Sequence, residues 1–373
     1  MEKVLVIGGT GTMGGPLVDI LYQKGFHVSV VCRKEKDDKR QIDYHYGDAK
    51  KIDFIKGVLR PNYDSVIDFC MYSPDEFERN YKILLESTKQ YICLSSAAVY
   101  ADSYEPKVES SPRYMETDPP MVDDVKYNWY CYEKARIEDI LKESGKRNWT
   151  IVRPGITVNR YHIGWGLSWN EDWFLRIVQG KKVVVEKDML PFKASFSYGG
   201  HVAQMIAGLV CNDKALGETY NVASSEEFSW QELLDLYIDK FSRLGYEMKI
   251  KYVKSAELIK RHPGKMYVYQ RARLLDRRFD SSKVYAFIGE SNFSPSLSEL
   301  LDLWMSEIVK NRKTPSCAVR KMAETDRFTG DVSSKNDFYT NFDFIKYYIL
   351  RFFPVISSVR KLGRRIVRKL IIL

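Results

Sequence analysis

Tyr130 and Lys134 stand four residues apart in the stretch YNWYCYEKARIEDIL, residues 127–141. Ile137, Ile140 and Leu141 give that stretch an apolar stripe. A helix therefore sets the phenol and the ammonium on one face, one turn apart. An ammonium beside a phenol favours the phenolate, which suits Tyr130 to pass a proton during oxidation or reduction of a carbon–oxygen bond. A third polar group comes from CLSSAAVYAD, residues 93–102, where an apolar run ends in Ser95 and Ser96. A hydroxyl there can bond the substrate oxygen. The spacing Tyr-x-x-x-Lys alone is weak, since Tyr46 and Lys50 repeat it on a turn. Tyr127 and Tyr132 read as packing or solvent-facing residues.

The elements that must position this chemistry alternate strand and helix. Residues 4–7 form a short apolar run, 16–22 have helical spacing, and 27–32 read as strand again. Between the first two, Gly8, Gly11 and Gly14 spell GxxGxxG. Glycine serves where the chain turns with positive φ, where backbone approaches a diphosphate and where a helix packs on a strand. The helix that follows aims its free N–H groups at the phosphates, so Thr10, Thr12 and Met13 fall in the cofactor-binding loop. Strands at 65–69, 91–94 and 149–155, with helices at 75–88 and around Tyr130, continue the rhythm. The fold class is α/β, a doubly wound parallel Rossmann sheet. Asp48, after the third strand, can reach an adenine amino group. The second strand ends in Arg33 and Lys34, where cations suit a 2′-phosphate. The cofactor expectation is NAD or NADP, with an edge to NADP.

With these residues in place, the chain resembles the extended short-chain dehydrogenase/reductase superfamily, its NAD-dependent epimerase/dehydratase group, over residues 1–310. The resemblance rests on Gly8/Gly11/Gly14, Asp48, the SSAAVY segment, Tyr130/Lys134 and VRPG at 152–155. It implies that Ser96 is the catalytic Ser/Thr, Tyr130 the general acid/base and Lys134 its partner, also holding the nicotinamide ribose. Pro154 would lie near the carboxamide. Hydride would pass between a sugar-ring carbon and the nicotinamide. Cys70 and Met71 stand where many relatives have two small residues, and the segment 72–90 is short for the usual dimer helix. Both features resemble the atypical branch of the superfamily, which includes RNA-associated members. The alternative reading is therefore a non-catalytic NAD(P)- or RNA-binding member of the same fold, recruited to a membrane or complex by its basic tail.

Family dehydratases follow the catalytic Ser/Thr with Asp-Glu, whereas Ala97 and Ala98 follow Ser96. An epimerase or a keto-reductase remains, acting on a nucleotide-linked or lipid-linked sugar. Residues 217–237 read as a strand and helix after the substrate-binding insertion, and 153–174 as a loop over a pocket. Trp165, Trp169 and Trp173 recur at helical spacing, which favours core packing. Arg273 and Arg278 can clamp a diphosphate. His201 reads as structural.

The chain of 373 residues suits one large or two interleaved domains. The boundaries read as a dinucleotide-binding domain at 1–155 with returning segments near 194–225, a smaller substrate-binding α/β subdomain at 156–311, a linker at 312–338 and a basic amphipathic tail at 339–373. Six scattered cysteines without a CxxC pair argue against zinc or a disulfide framework. No metal is expected. An apolar strand from Val4, with no signal-like stretch before it, sets a cytoplasmic expectation. Net charge is +9, and residues 344–373 hold eight Lys/Arg and no Asp/Glu, leaving about +1 for the rest. A nearly neutral body disfavours nucleic acid as partner. In the tail, Val355, Val359, Leu362, Ile366, Leu370 and Leu373 recur every three or four residues, with Arg360, Lys361, Arg364, Arg365, Arg368 and Lys369 opposite. Such a pattern fits a helix lying on an anionic membrane surface at the cytoplasmic face.

Overall fold

The computed structural model describes residues 1–353 except Lys39, Pro61, 118–128, Tyr161, Leu167, 170–172, 263–269, Arg271, 290–294 and Asn311. Tyr127 and the amphipathic pattern of 355–373 lie outside the described residues.

Elements alternate from the start: β1 (Lys3–Ile7), α1 (Gly14–Gln23), β2 (His27–Cys32), β3 (Asp43–Tyr46), α2 (Ile52–Leu59), β4 (Tyr63–Asp68), α3 (Pro74–Glu86) and β5 (Thr88–Leu94). After the short α4 (Tyr114–Thr117) come α5 (Trp129–Lys142) and β6 (Trp149–Arg153). With the strand Glu218–Asn221 they build a seven-stranded sheet. Its order is Glu218–Asn221, β6, β5, β4, β1, β2, β3, and every pairing is parallel. Strand order reverses between β1 and β4, which opens a crevice at their carboxyl ends.

The strands are continuous apolar runs because both faces are covered. On one face Val4, Val6, Val28 and Val30 pack with Leu17, Val18 and Leu21 of α1 and Val202, Met205 and Ile206 of the helix Gly199–Leu209. On the other, Leu5, Ile7, Val66 and Ile151 meet Ile55 of α2, Phe77 and Leu84 of α3, and Ile137, Ile140 and Leu141 of α5. The start of α3 is written locally: Pro74 opens it, and Ser73 and Glu76 exchange a capping box.

The chain divides into two compact units. The first comprises Met1–Asn159, Met189–Gln231 and Leu258–Leu297; the second comprises Arg160–Asp188, Glu232–Glu257 and Ser298–Leu373. The first unit thus takes back 258–297 as well as the stretch around 194–225.

Three sequence expectations are corrected in the second unit. Trp165 and Trp169 lie on paired antiparallel strands, Gly164–Trp165 and Ser168–Trp169, and only Trp173 adjoins a helix, Phe174–Val178. Trp165 and Trp173 are buried and stack at 5.7 Å. The segment 312–338, expected as a linker, carries the helix Val319–Thr329. Val319, Met322 and Ala323 join Leu175, Phe338, Tyr347 and Leu350 in a core. Asp326 shares that buried face, so a charged residue interrupts the apolar stripe and hides the helical period. It accepts from Arg176 Nη1 at 2.5 Å and from Tyr347 Oη at 2.7 Å. Lys181 Nζ lies 3.7 Å from it. The tail boundary at 339 shifts for the same reason: Asn341–Phe352 is a helix docked through Tyr347 and Leu350.

Removing Asp326 leaves the buried Arg176 and Lys181 with only Asp331 at 2.8 Å and Asp337 at 3.6 Å as carboxylate partners. Asp326→Ala is expected to cost about 3–5 kcal/mol, read as a lower denaturation midpoint of the transition involving this unit. A midpoint change within roughly 0.5 kcal/mol, as at a surface position, would return the segment to the status of a linker.

Candidate active site

Four strand ends converge at the carboxyl edge of the sheet. After β1 the chain turns at Gly8, whose φ is +79°, and Gly11 N donates to Gly8 O at 3.1 Å. A Cβ on Gly14 would stand 2.5 Å from Gly8 O, so only glycine lets α1 begin this close to the strand. Thr10 and Gly11 are exposed at the rim. Met13 is the N-cap of α1, and Thr12 Oγ1 accepts from Asn159 Nδ2 at 3.1 Å. This cradle fits a dinucleotide's diphosphate: it has backbone without side chains, open at its rim, ahead of a ten-residue helix. Arg33 is exposed after β2, and Asp48 is exposed after β3.

From β5 the chain enters the turn Ala97–Val99, with Ser96 as its cap. Ser96 Oγ accepts the Ala98 N–H at 3.1 Å, which leaves its own hydrogen to donate outward. Ala97 N donates to Pro154 O at 2.9 Å, joining this turn to the end of β6. Lys134 is buried and its ammonium donates to Leu94 O at 2.8 Å, two residues before Ser96. Tyr130 lies one turn earlier on α5, in its first turn, and is exposed at 40%.

Beneath these groups lie residues that the sequence did not single out. Glu138, one turn beyond Lys134, is fully buried. Arg153 of β6 grips it with Nε at 2.8 Å and Nη2 at 2.6 Å. Arg113 Nη1 adds a contact at 3.2 Å, and Ser95 Oγ donates at 2.5 Å. Burial pushes the Glu138 carboxyl up, but the Arg153 contacts prevail and hold it below the usual range. Arg277 fastens the Ser96 turn from its far side, donating to Ala97 O at 2.7 Å and Tyr100 O at 3.1 Å. Its neighbour Arg278 places Nε on Glu227 at 2.8 Å. Arg273 is buried, with its guanidinium 5.5 Å over the Trp230 ring. His201 is buried edge-on to Tyr198.

Asp68 closes β4 directly below the crevice. It accepts from Cys70 N at 2.8 Å and from the hydroxyls of Tyr72 and Tyr91, each at 3.0 Å. Burial pushes its carboxyl up to about 6, against those three hydrogen bonds and the nearby Lys134 charge. Among the described residues there is no group of His, Cys, Asp and Glu able to hold a metal ion.

These features have close counterparts in fold. WbmH from Bordetella bronchiseptica, in complex with NAD+, superposes with a TM-score of 0.62 at 16% identity, covering 84% of this chain and 100% of that one. UDP-glucose 4-epimerase from Thermotoga maritima with UDP-glucose gives 0.61 at 17% identity, covering 83% and 99%. dTDP-glucose 4,6-dehydratase from Bacillus anthracis with NAD gives 0.61 at 13% identity, covering 83% and 96%. The chain has the fold of the NAD-dependent sugar epimerases and dehydratases. No family model matches it. Among curated proteins it is similar to chloroplast stem-loop binding protein of 41 kDa b from Arabidopsis thaliana, 27% identical over 254 residues. That match takes in 62% of this chain and spans 61% of the relative's length.

Because native Asp68 keeps its proton to about pH 6, while an exposed aspartate ionises near pH 4, it stabilises the fold below about pH 4. That contribution is lost as pH rises through about 6. Asp68→Asn is expected to flatten the stability–pH curve between these limits, by at most roughly 3 kcal/mol. Parallel curves for variant and wild type would contradict the assignment.

Proposed function

We propose that this chain is an NAD(P)-dependent oxidoreductase acting at a ring carbon of a nucleotide-linked sugar, as an epimerase or keto-reductase. The observation that carries the reading is that one sheet edge gathers three things: a glycine turn free of side chains, the Ser96 hydroxyl, and the helix bearing Tyr130 and Lys134. The neighbours' complexes with NAD, NAD+ and UDP-glucose support the ligand classes.

When bound, the nicotinamide supplies hydride acceptance and return. Gly8, Gly11, Gly14, Thr10, Thr12 and Met13 would hold the diphosphate, with Asp48 at the adenine. Arg33 would meet a 2′-phosphate in the NADP case, and Pro154 would face the carboxamide. Ser96 donates to the sugar oxygen and Tyr130 moves its proton. Lys134 places positive charge behind both. Arg273, whose guanidinium lies over the Trp230 ring, and Arg278, paired with Glu227, are the two arginines that would meet the sugar's diphosphate. A lipid-linked sugar offers the same diphosphate.

Tyr130→Phe is expected to keep dinucleotide affinity within about threefold while turnover falls at least about 100-fold. Ser96→Ala should fall by a similar factor. Unchanged turnover in both variants would remove the proposed proton path. A second reading, RNA binding without turnover, is favoured by the stem-loop binding activity in the curated relative's name. It predicts a gel shift of stem-loop RNA and no reduction of dinucleotide with any sugar nucleotide.

A further inference from the structure

The helix Asn341–Phe352 has two apolar faces. The inner one is fixed to the second unit. Thr340 caps the helix by accepting from Asp343 N at 3.1 Å, and Ser316 Oγ donates to Asp343 at 2.6 Å. Tyr347 donates to Asp326 and accepts from Ser333 N at 2.8 Å, while Leu350 enters the core. The outer face is turned to solvent. Phe342 is 74% exposed, Ile345 55%, Ile349 40% and Phe352 42%, positions spaced by three, four and three residues. Tyr348 and Phe353 flank them, and Tyr348 lies 4.7 Å from Phe352. Single exposed apolar residues are ordinary, but six on one twelve-residue helix and its cap make a patch that needs an occupant.

Charge selects the occupant. Asp343 faces inward, and from Phe344 to Leu373 there are eight Lys/Arg and no Asp/Glu. Lys346 and Arg351 belong to the helix itself. A second copy would bring two such cationic segments together, whereas a surface of anionic headgroups attracts them. Phe, Tyr and Ile beside cations are the composition of a helix lying in a lipid interface. Twelve residues rise about 18 Å, too short to span a bilayer core, and no described helix is long and apolar enough to cross a membrane.

We propose that the outer face of this helix docks the protein in plane on an anionic lipid surface. Phe342, Ile345, Ile349 and Phe352 enter among the headgroups, and the positive charge carried by the sequence from Phe344 onward draws the helix to lipid phosphates. The inference extends the reading of the basic tail and does not depend on the catalytic one.

The test is co-sedimentation of the full chain with liposomes of phosphatidylcholine alone or with 30% phosphatidylserine. The double variant Ile345→Glu/Phe352→Glu is run beside it, with its thermal unfolding measured to show that the exposed substitutions leave the fold intact. Wild type is expected to pellet at least about tenfold more on the anionic vesicles, less so in high salt, and the variant to lose that gain. Three results would overturn the proposal. They are equal recovery on both vesicle types, unchanged binding by the folded variant, and a wild-type dimer that the variant dissolves without any lipid binding by either. Recovery is read without turnover, so a failed catalytic reading leaves this result intact.

Discussion

A single buried carboxylate holds the candidate site together. Glu138 takes a two-pronged grip from Arg153 on β6, a contact from Arg113, and the Ser95 hydroxyl at the end of β5. It thereby ties α5 to two strand ends, and α5 carries Tyr130 and Lys134. Ser95 precedes Ser96, so the same charge cluster ties the Ser96 turn and the helix of Tyr130 to one carboxylate. Such a cluster adds little net stability, because desolvation offsets most of its Coulomb attraction. Its consequence is positional: with one partner gone, the remaining buried charges force the strand ends and the helix to rearrange. Arg277 does a related job on the outer side of the Ser96 turn through two backbone carbonyls.

Around that cluster the site is assembled by backbone. Gly14 lets α1 start against Gly8, Pro154 O holds the turn after Ser96, and Leu94 O engages the Lys134 ammonium. Carbonyls of parallel strands emerge together at one edge, so a doubly wound sheet supplies anchors that a mutation cannot remove. Side chains then need only the right rotamer. The same logic accounts for Asp68, whose carboxyl burial pushes up to about 6 while one amide and two phenols hold its oxygens.

Much of this was legible in the sequence, for specific reasons. The glycine spacing and the alternation of apolar runs with helical stripes report local geometry and backbone period, and the seven parallel strands follow from them. The placement of Ser96 just past β5, and of Tyr130 and Lys134 one turn apart on α5, was readable because strand ends and helix faces follow from position. The bond from Lys134 to Leu94 O was not. Glu138, Arg153 and Arg113 were not readable as a cluster, since their contact joins segments 15 to 25 residues apart through tertiary packing. A glutamate four residues after Lys134, set between Ile137 and Leu141, was the available signal. The helix Val319–Thr329 escaped because a charged residue, Asp326, occupies its buried stripe. The pairing of Arg278 with Glu227, 51 residues away, was likewise not readable.

The central claim is that the carboxyl edge of the sheet holds a nicotinamide dinucleotide through the Gly8–Gly14 loop. Calorimetric titration of the purified chain with NADH and NADPH, after any retained nucleotide is removed and identified by mass spectrometry, tests it most directly. The account predicts binding of one equivalent per chain, abolished by Gly14→Val and preserved in Tyr130→Phe. No heat with either dinucleotide and no nucleotide released on denaturation would contradict it.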